Sequence, residues 1–450
     1  MKFMLTALKI FYVLDPNLQS IRDPTDDDTD EVKAEQKRNE DEVMCRGHII
    51  NGLSDWLYDL YTMEPSAKVI WDALEFKYHT DEEVIMPSPG MGHLIAHTEL
   101  VRRLAVEHGF SVTFIVTADC CSSSFYRAIV DSLPPGVVSV PCTVSSPACN
   151  ETPASLPSSP TSSDLPDMVK DRTTEGYRSL LQQLKRYEKA EGILVNSFQE
   201  MEPEAAMVLK EKKPGRPPVH LVGPLVQTGR PSSSPEESLC LKWLDEQPDA
   251  SVLYICLGSL GVLSRDQVKE MALGLETRGH RFLWVVRRPA DNGIVGGSED
   301  DPASYLPHGF LERTTESGLV VSFWTPQIQI LSHRAVGGFV THCGWSSTLE
   351  SVVHGVPMIA WPLYAEQRMN ELMLAEGRKV ASRAKEDNDG VVRREQISAA
   401  VRELMEREGG RVVLARVRQL QEAAAAKAMV KEAASRNALH EVVAKWKNTF

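Results

Sequence analysis

The stretch "FVTHCGWSSTLESVVHG", Phe339 to Gly355, decides the fold. Gly337 to Val340 reads as a buried strand. Ser347 and Glu350 have the spacing of a capping box, which predicts a helix beginning there. Gly355 and Pro357 stop it. The unit is strand, glycine turn, helix N-terminus. Such a terminus presents unpaired N–H groups and the positive end of a dipole, and so suits an anion. His342, Ser346 and Ser347 add donors at the same point. The alternative is an ordinary strand–helix joint.

Outward from this stretch the same alternation repeats. Strands are expected at "SVLYICL" (251–257), "FLWVVR" (282–287), "LVVSF" (319–323), "GGFVTH" (337–342) and "PMIAW" (357–361), with helices between them. Nearer the start, "VIMPSPGMGHLIAHTELVRRLAVEHGFSVTFIVT" (84–117) reads as strand, glycine turn, amphipathic helix, strand. Strands alternating with helices imply parallel sheets. A further helix and strand are expected in "FYRAIVDSLPPGVVSV" and again in "YRSLLQQLKRYEKAEGILVNSF". Between them, "PCTVSSPACNETPASLPSSPTSSDLP" (141–166) is Ser- and Pro-rich without apolar period, as in a long loop. Arg288 to Ser304 is a polar surface loop. Asp387-Asn388-Asp389-Gly390 lacks the other ligands of a calcium loop and reads as a turn. Trp446 anchors the terminal helices.

In an open parallel sheet, ligands lie at the carboxyl ends of the strands. Trp324 and Gln327 follow one strand, and an indole face can stack on a planar base. His342 and the helix start follow the next and suit a phosphate. Glu350, one turn into that helix, can accept bonds from a ribose. Glu366 and Gln367 follow a third strand and suit sugar hydroxyls. Base, phosphate, ribose and sugar acceptors together describe a nucleotide sugar. Neither a G-x-G-x-x-G nor a P-loop is present.

The totals bound the function classes. The chain of 450 residues has room for two or three domains. With 49 basic and 62 acidic residues its net charge is −13, which argues against a general nucleic-acid or anionic-membrane binder. Eight cysteines without a Cys-x-x-Cys suit a reducing compartment. No apolar run is long enough to span a bilayer. Lys9 and the following Asp and Pro argue against a signal peptide at the start. A cytoplasmic monomer without stable membrane insertion is expected.

Residues 323–367 resemble the plant secondary-product glycosyltransferase box of family 1 UDP-glycosyltransferases. "VGPL", "CLKWLDEQP", "SVLYICLGS", "FLWVVR" and "LPHGFLERT" support the resemblance, which is greatest to hydroquinone (arbutin-synthase-type) glucosyltransferases and covers about 84–450 with one gap. It implies an α/β fold of the GT-B kind, two Rossmann-like lobes with a cleft, and transfer from UDP-glucose to a small phenol without metal or cofactor. It also implies that Trp324 and Gln327 meet the uracil and Glu350 the ribose. His342, Ser347 and Ser259 would meet the diphosphate, and Glu366 and Gln367 the glucose, with Trp345 and Ser346 completing the donor set. Ser346 stands where the family usually has Asn, and Val262 where Thr is common. A single neutral hydrogen bond is worth about 0.5–1.5 kcal/mol, so neither change is decisive.

His93, after "PSPGMG", sits at the start of the first helix. An imidazole titrates near neutrality and suits a general base toward an acceptor hydroxyl. The acceptor oxygen would attack the sugar C1 with inversion. His97, four residues on, lacks a third ligand for a metal. Between Val140 and Tyr177 the family has further strand–helix units, carrying an aspartate that orients the histidine. Here Asp131, Asp164, Asp167 and Asp171 do not fill that place. The amino lobe is therefore expected to be incomplete.

Residues 1–82 differ from the rest. An acidic run, "DPTDDDTDEVKAEQ", holds Asp28-Thr29-Asp30, a metal-like triplet within a solvated charge run. Trp71, Leu74 and Tyr78 resemble a pattern in the Gag region of copia-type retrotransposons. The expected division is a helical, acidic extension over 1–82, a truncated acceptor-side lobe over 83–225, a UDP-sugar-binding lobe over 226–432 and a C-terminal helix over 433–450. The alternatives to an impaired glucosyltransferase are a nucleotide-sugar-binding pseudoenzyme and a mis-joined transposon–glycosyltransferase fusion.

Overall fold

The computed structural model describes residues 83–85, 91–117, 133–135, 137–142, 192–211, 216–226, 235–259, 261–277, 279–289, 301–384, 390–429 and 434–449, with a few isolated positions between them. The acidic run, the Gag-like segment, most of the Ser/Pro-rich stretch, Asp131, Asp164, Asp167 and the Trp446 side chain lie outside the described residues. By its contacts the chain divides into two compact units, one of residues 1–87 and 101–147, the other of 88–100 and 148–450.

In the first unit three strands form a parallel sheet in the order β1 (Glu83–Ile85), β2 (Val112–Thr117), β3 (Val137–Cys142). Glu83 of β1 pairs with Val112 of β2, and the expected helix between them in sequence is α1 (Met91–Arg102), most of whose residues belong to the second unit. Val112 and Phe114 are buried. β3 carries pairing two residues into the Ser/Pro-rich stretch, to Cys142.

The second unit holds a two-stranded parallel sheet, β4 (Ile193–Val195) with β5 (Val219–Leu221), joined through α2 (Pro203–Lys210). It also holds a six-stranded parallel sheet. Its strands are β6 (Val252–Cys256), β7 (Arg281–Val285), β8 (Gly318–Val321), β9 (Val336–Thr341), β10 (Met358–Ala360) and β11 (Ala381–Arg383), in the spatial order β11-β10-β9-β6-β7-β8. The helices between and after them are α3 (Pro235–Asp245), α4 (Arg265–Glu276), α5 (Phe310–Arg313), α6 (Gln327–Leu331), α7 (Trp345–His354), α8 (Gln367–Leu372), α9 (Arg394–Glu406), α10 (Glu408–Met429) and α11 (Ala434–Thr449).

The apolar runs are continuous because this sheet is covered on both faces. On one face Tyr254, Leu283, Val321, Phe339 and Met358 meet Ile330, Leu349, Val352, Val417 and Leu420 of α6, α7 and α10. On the other, Leu253, Ile255, Phe282, Trp284, Val340 and Ile359 meet Val268, Met271, Leu275, Ile397, Val401 and Leu404 of α4 and α9. Each such fully buried apolar side chain contributes about 1.5–3 kcal/mol. The Tyr254 and Phe339 rings stack at 5.2 Å across the central strand pair.

The strand order positions the site. The chain leaves β6 outward to β7 and β8, then returns to lay β9 on the opposite side of β6. Cys256 ends β6 beside Thr341, which ends β9. This is a topological switch point, where two successive loops diverge and leave a crevice.

Candidate functional site

The expected capping box is not formed. α7 begins at Trp345 with Gly344 as its N-cap, two residues before Ser347, and Thr348 N–H closes the first turn on Gly344 O at 2.9 Å. Glu350 is drawn away by a tertiary partner, described below. Gly355 does stop the helix, in a left-handed conformation at φ 70°. The positive end of α7 therefore opens directly onto the three-residue turn His342-Cys343-Gly344 at the switch point. Cys343 takes φ 64°, and Asn370 Nδ2 donates to its carbonyl at 2.9 Å. Burial pushes its thiol up to about 12, so it serves the turn and not the chemistry.

His342 lies between two glycines. A Cβ on Gly258 would come within 2.6 Å of its ring, and one on Gly344 within 2.3 Å of Nε2. Burial lowers its pKa to about 4, so the imidazole is neutral near pH 7. Its Nδ1 is buried with no hydrogen-bond partner among the described residues.

Gln327, at the start of α6, ties the neighbouring residues together. Its Nε2 donates to Ser347 Oγ at 3.0 Å and to Glu350 Oε2 at 2.6 Å. Burial raises the Glu350 carboxyl to about 7, against the Gln327 hydrogen bond, which favours the ionised form. Trp324, three residues before Gln327, is half-buried. The loop carrying both leaves β8, at the sheet edge, and returns to the centre, where the Thr325 and Tyr254 hydroxyls share a 2.8 Å hydrogen bond.

The third expected group divides in two. Glu366 is exposed. Gln367 is buried, and its Oε1 accepts from Leu363 N–H at 2.8 Å and Tyr364 N–H at 3.1 Å, so this oxygen already holds its own loop. Ser259 is half-buried in the loop after β6. Trp345 uses its indole N–H within the protein, donating to Asn196 O at 2.7 Å, while Asn196 Oδ1 accepts from Leu225 N–H at 2.7 Å. Ser346 occupies the first turn of α7. His93 is the third residue of α1, and its side chain lies outside the described residues.

Sequence reasoning missed Asn196, a single polar residue directly after β4, without periodic signal. Asp387 holds Arg393 and Gln396 with its two carboxylate oxygens, in keeping with a turn. Asp171 accepts from Thr173 N–H and Oγ1 in a local turn. Among the described residues no group of three His, Cys, Asp or Glu could hold a metal. No described helix is long and apolar enough to cross a membrane.

Comparison with known proteins gives this site its relatives. Residues 213–412 match the family described as UDP-glucoronosyl and UDP-glucosyl transferase. UDP-glycosyltransferase 72B3 of Arabidopsis thaliana is 38% identical over 467 residues, covering 82% of this chain and 96% of that protein. Hydroquinone glucosyltransferase of Rauvolfia serpentina is 37% identical over 466 residues, covering 82% and 98%. The structure of Phytolacca americana UGT2 complexed with UDP-2fluoro-glucose and pterostilbene superposes with a TM-score of 0.70 at 34% identity, covering 82% of this chain and all of that one. The fold is of the GT-B class that these structures share. By sequence, by parallel-sheet topology and by the turn that opens α7, the chain belongs to the plant family 1 UDP-glycosyltransferases.

Proposed function

We propose that the chain binds UDP-glucose at the β6–β9 switch point and is built to glucosylate small phenols with inversion. The observation that carries this reading is the convergence of the α7 N-terminus, neutral His342 and the Gln327–Ser347–Glu350 group at one crevice. The diphosphate would lie at the helix terminus beside His342 and Ser259, with Ser346 and Ser347 donating. The ribose hydroxyls would donate to Glu350, and the uracil would stack on Trp324 beside Gln327. Glu366, together with the Gln367 amide nitrogen, would meet the glucose. His93 would take the proton of the acceptor hydroxyl as its oxygen forms a bond to C1. The C1–O bond to UDP breaks, and the leaving diphosphate is held by the positive end of α7. No metal or organic cofactor enters this step.

Turnover by this chain is proposed to be poor. The alignment with the Arabidopsis relative spans 467 positions yet takes in 82% of 450 residues, so roughly a hundred of its positions have no counterpart here. Their absence accords with an incomplete amino lobe over 83–225, lacking the aspartate that would orient His93. The donor lobe would span 226–432 and the C-terminal helix 433–450. Residues 1–82, outside the described residues, would be a Gag-like extension unconnected with donor binding. A cytoplasmic monomer completes the proposal. The same shortfall favours a second reading, a protein that binds the nucleotide sugar without transferring it.

A steady-state assay with UDP-glucose and hydroquinone-like phenols separates these readings. This chain is compared with a version whose missing strand–helix units are restored. Slow turnover that rises sharply on restoration supports an impaired enzyme. Bound UDP-glucose with no product supports the second reading, and equal turnover by both versions contradicts the impairment.

A further inference from the structure

Arg287 follows β7, outside every group assigned so far. Ile255 of β6 pairs with Trp284 of β7. Arg287 lies two residues past the end of β7, at the same carboxyl end of the sheet as the loop after β6, which contains Gly258. Gly258 is the residue against which the His342 ring lies. The alternation of side chains along β7 sets the direction: Leu283 and Val285 face α7, and Trp284 and Val286 face away. Arg287 continues the first set, toward α7.

Its electrical surroundings are unusual. Arg287 is partly buried, and burial lowers its pKa. The groups its charge feels are Cys256 and Tyr364, both un-ionised at neutral pH, and desolvation raises the pKa of each. Among the described residues no carboxylate pairs with it. Tyr364 belongs to the loop after β10, whereas Arg287 follows β7, and β9 and β6 lie between those strands. The two residues therefore interact across the carboxyl ends of the switch-point strands. A partly desolvated cation with no counter-charge is costly, and this one borders a crevice where a helix terminus and a neutral imidazole already favour an anion.

We propose that Arg287 is a donor-binding residue whose guanidinium engages the diphosphate of the nucleotide at the β6–β9 switch point. This rests on the donor-site reading above. Arginine suits the task because its planar fork can meet two phosphate oxygens at once. The neutral donors of the site would then orient the diphosphate while Arg287 supplies charge.

The test is calorimetric titration of uridine, UMP and UDP into the full chain and into Arg287→Gln and Arg287→Lys. The wild type should bind UDP more tightly than uridine. Arg287→Gln should lose about ten- to a hundredfold in UDP affinity, as expected for a charge-assisted contact. It should keep uridine within about twofold, which also shows that the variant is folded. Arg287→Lys should fall between the two, retaining charge without the fork. Unchanged UDP affinity in Arg287→Gln, with a wild type that still prefers UDP, would overturn the proposal and leave the donor-site reading standing. An equal loss for all three ligands would also overturn it, assigning Arg287 to the fold. A wild type that binds none of the three would overturn both.

Discussion

Gln327 and Glu350 are joined by a 2.6 Å hydrogen bond between helices that follow different strands. The bond places a carboxyl, buried to 4% exposure, one turn inside α7, where no formal positive charge among the described residues balances it. Several measurable consequences arise from that arrangement and from the turn beside it.

The first concerns stability against pH. Glu350 titrates at about 7 when folded and near 4.5 when unfolded, so the folded chain holds this proton more tightly. Its contribution is complete below pH 4.5 and is lost as pH rises through 7, a span of about 3 kcal/mol. Glu350→Gln keeps a carbonyl for Gln327 and cannot ionise. Urea unfolding should show the variant gaining on wild type from pH 5 to pH 8, by up to about 3 kcal/mol. A difference independent of pH would show that the carboxyl is not desolvated.

His342 has the opposite sign. Its pKa is depressed from 6.5 to about 4, so its contribution to stability is present above pH 6.5 and is lost as pH falls through 4. In the ligand-free chain its ring-proton resonances should stay at their neutral positions down to about pH 5. A titration midpoint near 6.5 would place the imidazole in water and not between Gly258 and Gly344.

The legibility of this fold follows from its burial. The strands β6 to β10 were readable because both faces are covered, which leaves short, unbroken apolar runs. β11 was missed because Ala381-Ser382-Arg383 is three residues long and carries no apolar run, whereas β8, also an edge strand with one buried residue, still reads Leu319-Val320-Val321. The start of α7 was misplaced because Ser347 and Glu350 have cap spacing, yet Glu350 bonds a residue 23 positions earlier in the chain. Local pattern cannot register a tertiary partner. Trp324 and His342 follow consecutive strands in the sequence, but β8 and β9 are separated by β7 and β6 in the sheet. Only the return of the Trp324–Gln327 loop to the centre brings the candidates together.

Gly344→Ala isolates the turn from the helix. The backbone there, φ −61° and ψ 139°, accepts any L residue. The new methyl would nevertheless fall 2.3 Å from His342 Nε2 and displace the ring. Far-ultraviolet circular dichroism should be unchanged, while UDP affinity drops by about tenfold, in the range of an overpacked site. Undiminished affinity would remove His342 from the donor site.

Trp324→Ala tests the base contact. Aromatic stacking is worth about 0.5–1.5 kcal/mol beyond area burial. Calorimetry with UDP should register at least that loss, and uridine should lose as much as UDP, since the proposed contact of the ring is with the base alone. Equal affinities for wild type and variant would put the uracil elsewhere.

The nucleotide is proposed to occupy the crevice at the carboxyl ends of β6 and β9. Amide hydrogen exchange of the full chain, with and without saturating UDP, tests it most directly. New protection should be concentrated in residues 257–261, 324–330 and 342–352, with little change in the β1–β3 sheet. Protection absent from the turn His342–Gly344 and the first turn of α7, with UDP demonstrably bound, would contradict it.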